Sequence, residues 1–269
     1  MPETPAASTS TSTGPAIELD GVSKAFGSHV VLDGVSLTVR QRSIMVMLGP
    51  SGTGKSVLLR CLVGLLRPDA GRVLVFGEDV ASLDPTRPRD RQDLFRIRRR
   101  FGMLFQDGAL FDDMTVGENV GFPMRMHTKL SSAEIRDSVD DKLARVGLPR
   151  AVHKYPSELS GGMRKRVAFA RAIALEPDIV LCDEPSSGLD PVMAATLDEL
   201  ILELHKTLGM TFVVITHDTA EARTIADTIG LLSRGKLVTY GPSKEVLRSD
   251  HPALRQFFAR STEGPIQVL

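Results

Sequence analysis

The stretch Ile44-Met45-Val46-Met47-Leu48-Gly49-Pro50-Ser51-Gly52-Thr53-Gly54-Lys55-Ser56 decides how this chain is read. An apolar run of strand length passes directly into a turn with three glycines. It then enters Val57-Leu58-Leu59-Arg60-Cys61-Leu62-Val63, a helical pattern closed by Gly64. Gly49, Gly52 and Gly54 let the backbone wrap so that successive N–H groups point at one anion. Lys55 adds a mobile positive charge, Ser56 a hydroxyl suited to Mg²⁺, and Pro50, Ser51 and Thr53 complete the loop. Strand, loop and helix in this order predict a site for the phosphates of a nucleoside triphosphate, held at a helix N-terminus.

Composition bounds the remainder. The 269 residues are 42% apolar, enough for a sizeable core. Lys plus Arg equals Asp plus Glu at 33 each, so no overall field draws the chain to nucleic acid or to an anionic membrane, and any such partner must be met through a local patch. Apolar runs fall well short of the roughly 18 residues a spanning helix needs, and the N-terminus carries no apolar signal core. The chain is therefore expected in the cytosol, reaching a membrane only through a partner. Cys61 and Cys182 each lie within an apolar run and read as buried thiols rather than a disulfide or metal site.

Residues 1–15 are Ser, Thr, Pro and Ala with almost no large apolar side chains, which predicts a disordered tail. Ile17-Glu18-Leu19, Val35-Ser36-Leu37-Thr38-Val39 and Arg72-Val73-Leu74-Val75-Phe76 alternate as half-buried strands of a small antiparallel sheet. Ser131-Ser132-Ala133-Glu134 is a capping box opening a helix that runs to Val146, before Gly147-Leu148-Pro149. Ile179-Val180-Leu181-Cys182 and Thr211-Phe212-Val213-Val214-Ile215-Thr216 are continuous apolar runs, as parallel strands buried on both faces require, and helical periodicity fills 192–208 between them. The basic cluster Arg96, Arg98, Arg99 and Arg100, interrupted upstream by Asp90 and Asp93, reads as a solvated face without the aromatic interleaving of a nucleic-acid surface.

Two further constellations carry chemistry. The strand at 179–182 ends in Asp183-Glu184-Pro185, where an α/β sheet presents residues to its ligand. Asp183 is expected to hold the water shell of the metal. Glu184, expected to project the other way, is the candidate proton acceptor from an attacking water. Leu159-Ser160-Gly161-Gly162-Met163 precedes a helix expected over 164–175, with Ser160 as N-cap and two glycines exposing backbone N–H groups, a second anion site.

Taken together and in this order, these elements resemble the ATP-binding cassette family over residues 16–247. The resemblance implies an α/β P-loop NTPase fold with a RecA-like core, a small antiparallel β subdomain and a helical subdomain near 107–160. The cassette would span 16–249 and be followed by a C-terminal tail over 250–269. It further implies roles for residues that would otherwise pass unnoticed. Gln106 would touch Mg²⁺ and the attacking water and relay the state of the site. In Ser187-Gly188-Leu189-Asp190, Asp190 would contact the opposite subunit. His217 would contact the γ-phosphate, and Phe26 would stack on adenine. Family members bind ATP and Mg²⁺ between two subunits, the phosphate loop of one facing Ser160-Gly161-Gly162 of the other, so a homodimer is implied.

The segment Asp107-Gly108-Ala109-Leu110-Phe111-Asp112-Asp113-Met114-Thr115-Val116-Gly117-Glu118-Asn119-Val120, with Phe122-Pro123-Met124 and the ending Arg255-Gln256-Phe257-Phe258, is similar to the Mla and Mce lipid-transport ATPases. Gly188 stands where some Mla members have Gln, nearer the Mce side. This branch implies integral-membrane permease subunits and, through them, a periplasmic lipid-binding MCE-domain subunit. It also implies a position on the cytoplasmic face of the inner membrane and no nucleic acid. Cassette ATPases acting on nucleic acid or ribosomes usually carry a long coiled-coil insertion or tandem cassettes, and neither occurs here. A nucleotide kinase would have no use for Ser160-Gly161-Gly162 or His217.

Overall fold

The computed structural model describes residues 14–266, and most of the expected N-terminal tail, residues 1–13, lies outside the described residues. Strands β1 (Pro15–Phe26) and β2 (His29–Arg40) form a hairpin; after β3 (Ile44–Leu48) and α1 (Lys55–Leu62), β4 (Ala70–Val75) and the short β5 (Glu78–Asp79) complete an antiparallel sheet of order β2-β1-β4-β5. Next come α2 (Pro88–Arg98), β6 (Phe101–Leu104), α3 (Val116–His127), α4 (Ser132–Arg145), α5 (Gly161–Ala172), β7 (Ile179–Asp183), α6 (Pro191–Leu208) and β8 (Thr211–Thr216). The chain closes with α7 (Thr219–Ile225), β9 (Thr228–Ser233), β10 (Lys236–Pro242), α8 (Ser243–Val246) and α9 (Pro252–Ala259). The second sheet has the order β10-β9-β3-β8-β7-β6, parallel except for β10.

Strand β3 lies between β8 and β9, and all five of its residues are buried, which explains its unbroken apolar run. Its alternation divides the interior. Ile44, Val46 and Leu48 face one core with Val180, Phe212, Val214 and the side chains of α3 to α6, while Met45 and Met47 face another with Leu181, Val213, α1 and the antiparallel sheet. The register pairs Leu48 with Thr216 and Asp183 with Ile215, so three strand ends reach one level at the edge where the phosphate loop begins.

Several expectations need adjustment. Helix α5 starts at Gly161, three residues before the expected 164, and ends at Ala172. Ser160 is its N-cap as read, the hydroxyl accepting from the Met163 N–H at 3.3 Å. The Ser131 capping box is present and Thr115 with Glu118 forms another ahead of α3. Three of the four arginines read as a solvated face also tie elements together, while Arg99 is exposed. Arg98 donates to the Val63 and Gly64 carbonyls, Arg96 pairs with Glu78 and Asp93, and Arg100 lies over Phe76 while bonding Asp178. Residues 250–266 are held to the core, because Ala253, Leu254 and Ile266 are buried and the Gln256 side chain bonds both the N–H and the C=O of Ile266.

Candidate phosphate-binding and hydrolytic site

Loop residues Gly49 to Gly54 have the shape the glycines predict. Gly54 has φ of 101°, and a Cβ there would lie 2.6 Å from the Val31 carbonyl oxygen; at Gly49 a Cβ would lie 2.2 Å from that of Leu232. No side chain larger than hydrogen fits either position without moving backbone. The loop therefore sits directly against the β2 hairpin and the end of β9. Thr53 braces it by donating from its hydroxyl to the Pro50 carbonyl at 2.9 Å.

A cleft of about 300 Å³ opens above the loop, lined by Val31, Ser51, Gly52, Gly54, Lys55, Ser56, Val57, Gln106, Asp183 and Glu184. Inside it the Lys55 ammonium, only 6% exposed, donates to the carbonyls of Gly49 at 2.6 Å and Pro50 at 2.9 Å and lies 3.8 Å from the Glu184 carboxylate. Burial lowers the pKa of Lys55, and the Glu184 and Asp183 carboxylates partly offset this. Burial raises that of Asp183, opposed by the Ser56 hydroxyl, which donates at 3.5 Å, with Glu184 adding to the rise. A cleft that buries an ammonium beside two carboxylates is arranged for an anion that brings its own cation.

Glu184 does not project away from Asp183 as its place next in sequence suggests. It leaves β7 with φ of 50°, a left-handed conformation that costs a non-glycine residue about 1 kcal/mol. Its N–H still bonds the Ile215 carbonyl at 2.8 Å, so the turn swings the side chain back over the cleft. There its Oε2 meets His217 Nδ1 at 2.6 Å and its Oε1 faces Lys55. The Glu184 carboxylate thus joins the imidazole by a hydrogen bond and the ammonium by an ion pair at the mouth of the loop.

Ser56 and Asp183 offer oxygen donors on one wall, with Gln106 on the same rim. Among the described residues no group of three His, Cys, Asp or Glu side chains forms an all-protein metal cage. This donor set fits Mg²⁺, which keeps several waters and takes one or two protein oxygens together with phosphate oxygens.

Other residues read from the sequence lie outside this cleft. Ser160, Gly161 and Gly162 do not line it, and the Gly161 and Gly162 N–H groups find no acceptor among the described residues. Asp190 caps α6 through Oδ1, accepting from Val192 and Met193 at 3.0 Å each. Phe26 stands half exposed at the tip of the β1–β2 hairpin with the Lys24 ammonium 5.7 Å from its ring.

Three groups escaped the sequence reading. Lys165, 6% exposed, donates to the Gln106 carbonyl and, at 3.3 Å, to that of Glu184. Its signal was its place one helical turn before the fully buried Ala168 and Phe169, masked by Arg164 and Arg166 on either side. Asn119, fully buried, bonds the N–H and C=O of Phe111 and so fixes the chain after Gln106. Glu221 is buried between the loops that carry Ser186 and His217, bonded to the Ser186 hydroxyl at 3.2 Å.

The ABC transporter family profile matches residues 32–187, which hold the phosphate loop, Ser160-Gly161-Gly162 and the Asp183-Glu184 pair. The chain belongs to the ABC transporter family. It is 47% identical over 94% of its length to the Mycobacterium tuberculosis protein named probable ribonucleotide transport ATP-binding protein mkl, covering 69% of that protein. To the intermembrane phospholipid transport system ATP-binding protein MlaF of Escherichia coli (strain K12) it is 42% identical over 93% of its length and 91% of the relative. Among solved structures, the dimeric bacterial ABC transporter cassette MJ0796 superposes with a TM-score of 0.76 at 31% identity, covering 85% of this chain and 99% of the other. A post-hydrolysis dimer of the same cassette bound to ADP and Pi gives the same TM-score. The chain is accordingly a transport ATPase with the P-loop cassette fold expected from its sequence.

Proposed function

We propose that this ATPase binds Mg·ATP in the cleft above Gly49 to Ser56, closes on a second copy of itself and, through hydrolysis and reopening, drives a permease that moves phospholipid or a related lipid between membranes. One observation carries the enzymatic part: Lys55, Ser56, Gln106, Asp183 and Glu184 line one cleft, with His217 bonded to Glu184, while Ser160, Gly161 and Gly162 lie outside it and the Gly161 and Gly162 N–H groups have no acceptor among the described residues. Half a site facing inward and half facing outward is what a self-complementary pair needs.

Lys55 and the loop N–H groups hold the β- and γ-phosphates, the ammonium leaving the Gly49 and Pro50 carbonyls for phosphate oxygens. Ser56, Asp183 and Gln106 are placed to hold Mg²⁺ and its waters. When bound, that ion neutralises charge developing on the phosphates. Glu184 orients a water in line with the γ-phosphate and takes its proton, positioned by the His217 imidazole, which would also contact that phosphate. Phe26 stacks on the base, and Ser160, Gly161, Gly162 and Asp190 complete the partner's pocket. Dimer closure buries both triphosphates; attack of the water on the γ-phosphorus breaks its bond to the oxygen bridging to the β-phosphate, ADP keeps that oxygen, and departure of inorganic phosphate then removes charge that held the pair together.

A groove of about 490 Å³ is lined by Phe95, Phe105, Phe111, Phe122 and Pro123 together with Arg98, Arg99 and Arg171, and we assign it to the permease. It suits an apolar cytoplasmic segment of the permease and would place the cassette, 16–249 with its helical part at 107–160, on the cytoplasmic membrane face. An MCE-domain subunit would be reached through that permease. Support for lipid as cargo lies in the MlaF relatives and in residues 107–124. A second reading, ribonucleotide as cargo, is favoured by the name of the mycobacterial relative.

Subunit complementation tests the enzyme reading. Lys55→Ala and Ser160→Arg chains should each be inactive alone, yet mixed they should regain hydrolysis, because one intact composite site forms in the mixed dimer. A mixture as dead as its parts overturns the shared site. Cargo is tested with the permease complex in vesicles: hydrolysis stimulated by phospholipid and unaffected by ribonucleotide supports lipid, and the reverse supports the second reading.

A further inference from the structure

We propose that Lys165 is a positioning residue that ties the two composite ATP sites together, carrying movement of the Ser160 end of α5 to the Glu184 and Gln106 backbone of the same chain. The inference rests on the two-chain reading above. Helix α5 begins at Gly161, and Lys165 lies one turn further on the same face. Its buried ammonium reaches two carbonyls from different loops, those of Gln106 and Glu184. Both loops carry side chains into this chain's own cleft. The helix tip, in contrast, is offered to the nucleotide of the partner.

The tip is continuous with the helix it opens, Ser160 accepting from the Met163 N–H. Gly162 lies under the Met193 side chain of α6, and Arg171 further along α5 bonds the carbonyls of Gly108 and Ala109. Drawing the Ser160 end toward a partner's γ-phosphate therefore moves α5 with its attachments. The Glu184 carbonyl is shared between Lys165 and the Ser187 N–H, and a non-glycine residue keeps φ of 50° only because such surrounding bonds hold it, so a change in the Lys165 bond bears directly on how Glu184 is held. A shift well under 1 Å at that carboxylate is enough to change proton abstraction several-fold. Burial weakens the hold of Lys165 on its proton, while Asp107, Glu221 and Glu184 help to keep it charged.

Lys165→Met tests the tie. The purified chain should retain its affinity for a fluorescent ATP analogue, since Lys165 is outside the cleft. Its kcat should fall about tenfold, and the Hill coefficient for ATP should drop from about 2 toward 1. In a mixed dimer, hydrogen exchange at 184–187 of a Lys55→Ala chain should slow when only its partner binds ATP, and Lys165→Met placed in that chain should abolish the slowing. Lys165→Gln, too short to span both carbonyls, gives the same readings if the methionine chain melts below assay temperature. An unchanged Hill coefficient, or protection of 184–187 that persists without Lys165, overturns the proposal. If the parent hydrolyses ATP with a coefficient of 1, the tie is refuted while the ATPase reading stands. If the parent binds no ATP, both fall.

Discussion

The Lys55 cleft and the Ser160 helix end, both assigned to phosphate in the proposed function, stand in opposite states in the single chain. In the cleft every charged group is engaged: Lys55 with two carbonyls and Glu184, Glu184 with His217, Asp183 with Ser56. At the helix end the Gly161 and Gly162 N–H groups have no acceptor among the described residues. The first must exchange internal bonds for ligand bonds, whereas the second exchanges only bonds to water. In the proposed function the first would set selectivity for triphosphate and the second would help to bring two chains together.

The sharpest way to break this contrast is Glu184→Gln, which keeps shape but removes the proton acceptor. Turnover should fall on the order of 10³-fold while ATP is retained and a closed dimer persists in size-exclusion chromatography. Parent-level turnover would show that the carboxylate belongs to the resting network alone. Next in size is Lys55→Ala, which removes the charged donor; affinity for ATP by calorimetry should drop about 10- to 100-fold. Ser160→Arg should leave the affinity of a monomeric chain for ATP unchanged within about twofold but abolish ATP-induced dimerisation in ultracentrifugation. Weakened binding in the monomer would mean that the helix end serves its own chain.

The smallest expected effect concerns the support beneath the cleft. Burial pushes Glu221 up to about 8 and Asp198 up to about 6. The folded chain therefore holds protons that the unfolded chain has released. This stabilisation is complete below the ordinary carboxylate range and is lost as pH rises through about 6 and then about 8. The melting temperature should accordingly decline between pH 5 and pH 8.5, and Glu221→Gln should flatten most of that decline, by roughly 2–4 °C per kcal/mol removed. A parent profile that rises over the same range would contradict the burial assignment.

Much of the site was legible because its chemistry is local. Gly49 to Ser56 needs φ values only glycine adopts, Ser160 caps the helix it precedes, and Asp183 closes the strand that carries it. Glu184 was misplaced because strand alternation was extended one residue too far; its left-handed turn depends on the β8 backbone it bonds. Arg96, Arg98 and Arg100 read as solvated because their partners Glu78, Val63, Gly64 and Asp178 are distant in sequence.

By itself the sequence determined the strand–loop–helix at 44–63, the buried strands at 179–182 and 211–216, the Ser131 and Ser160 caps and the family the chain resembles. Each of those depends on periodicity, capping and turn chemistry within about ten neighbouring residues. Only the tertiary structure decided that Glu184 turns back to His217 and Lys55, that the Ser160 end stays outside the cleft, and that Lys165 spans the Gln106 and Glu184 loops. Those outcomes are set by parallel-strand register and by the packing of α5 on the sheet, contacts between residues far apart in the chain that no local pattern encodes.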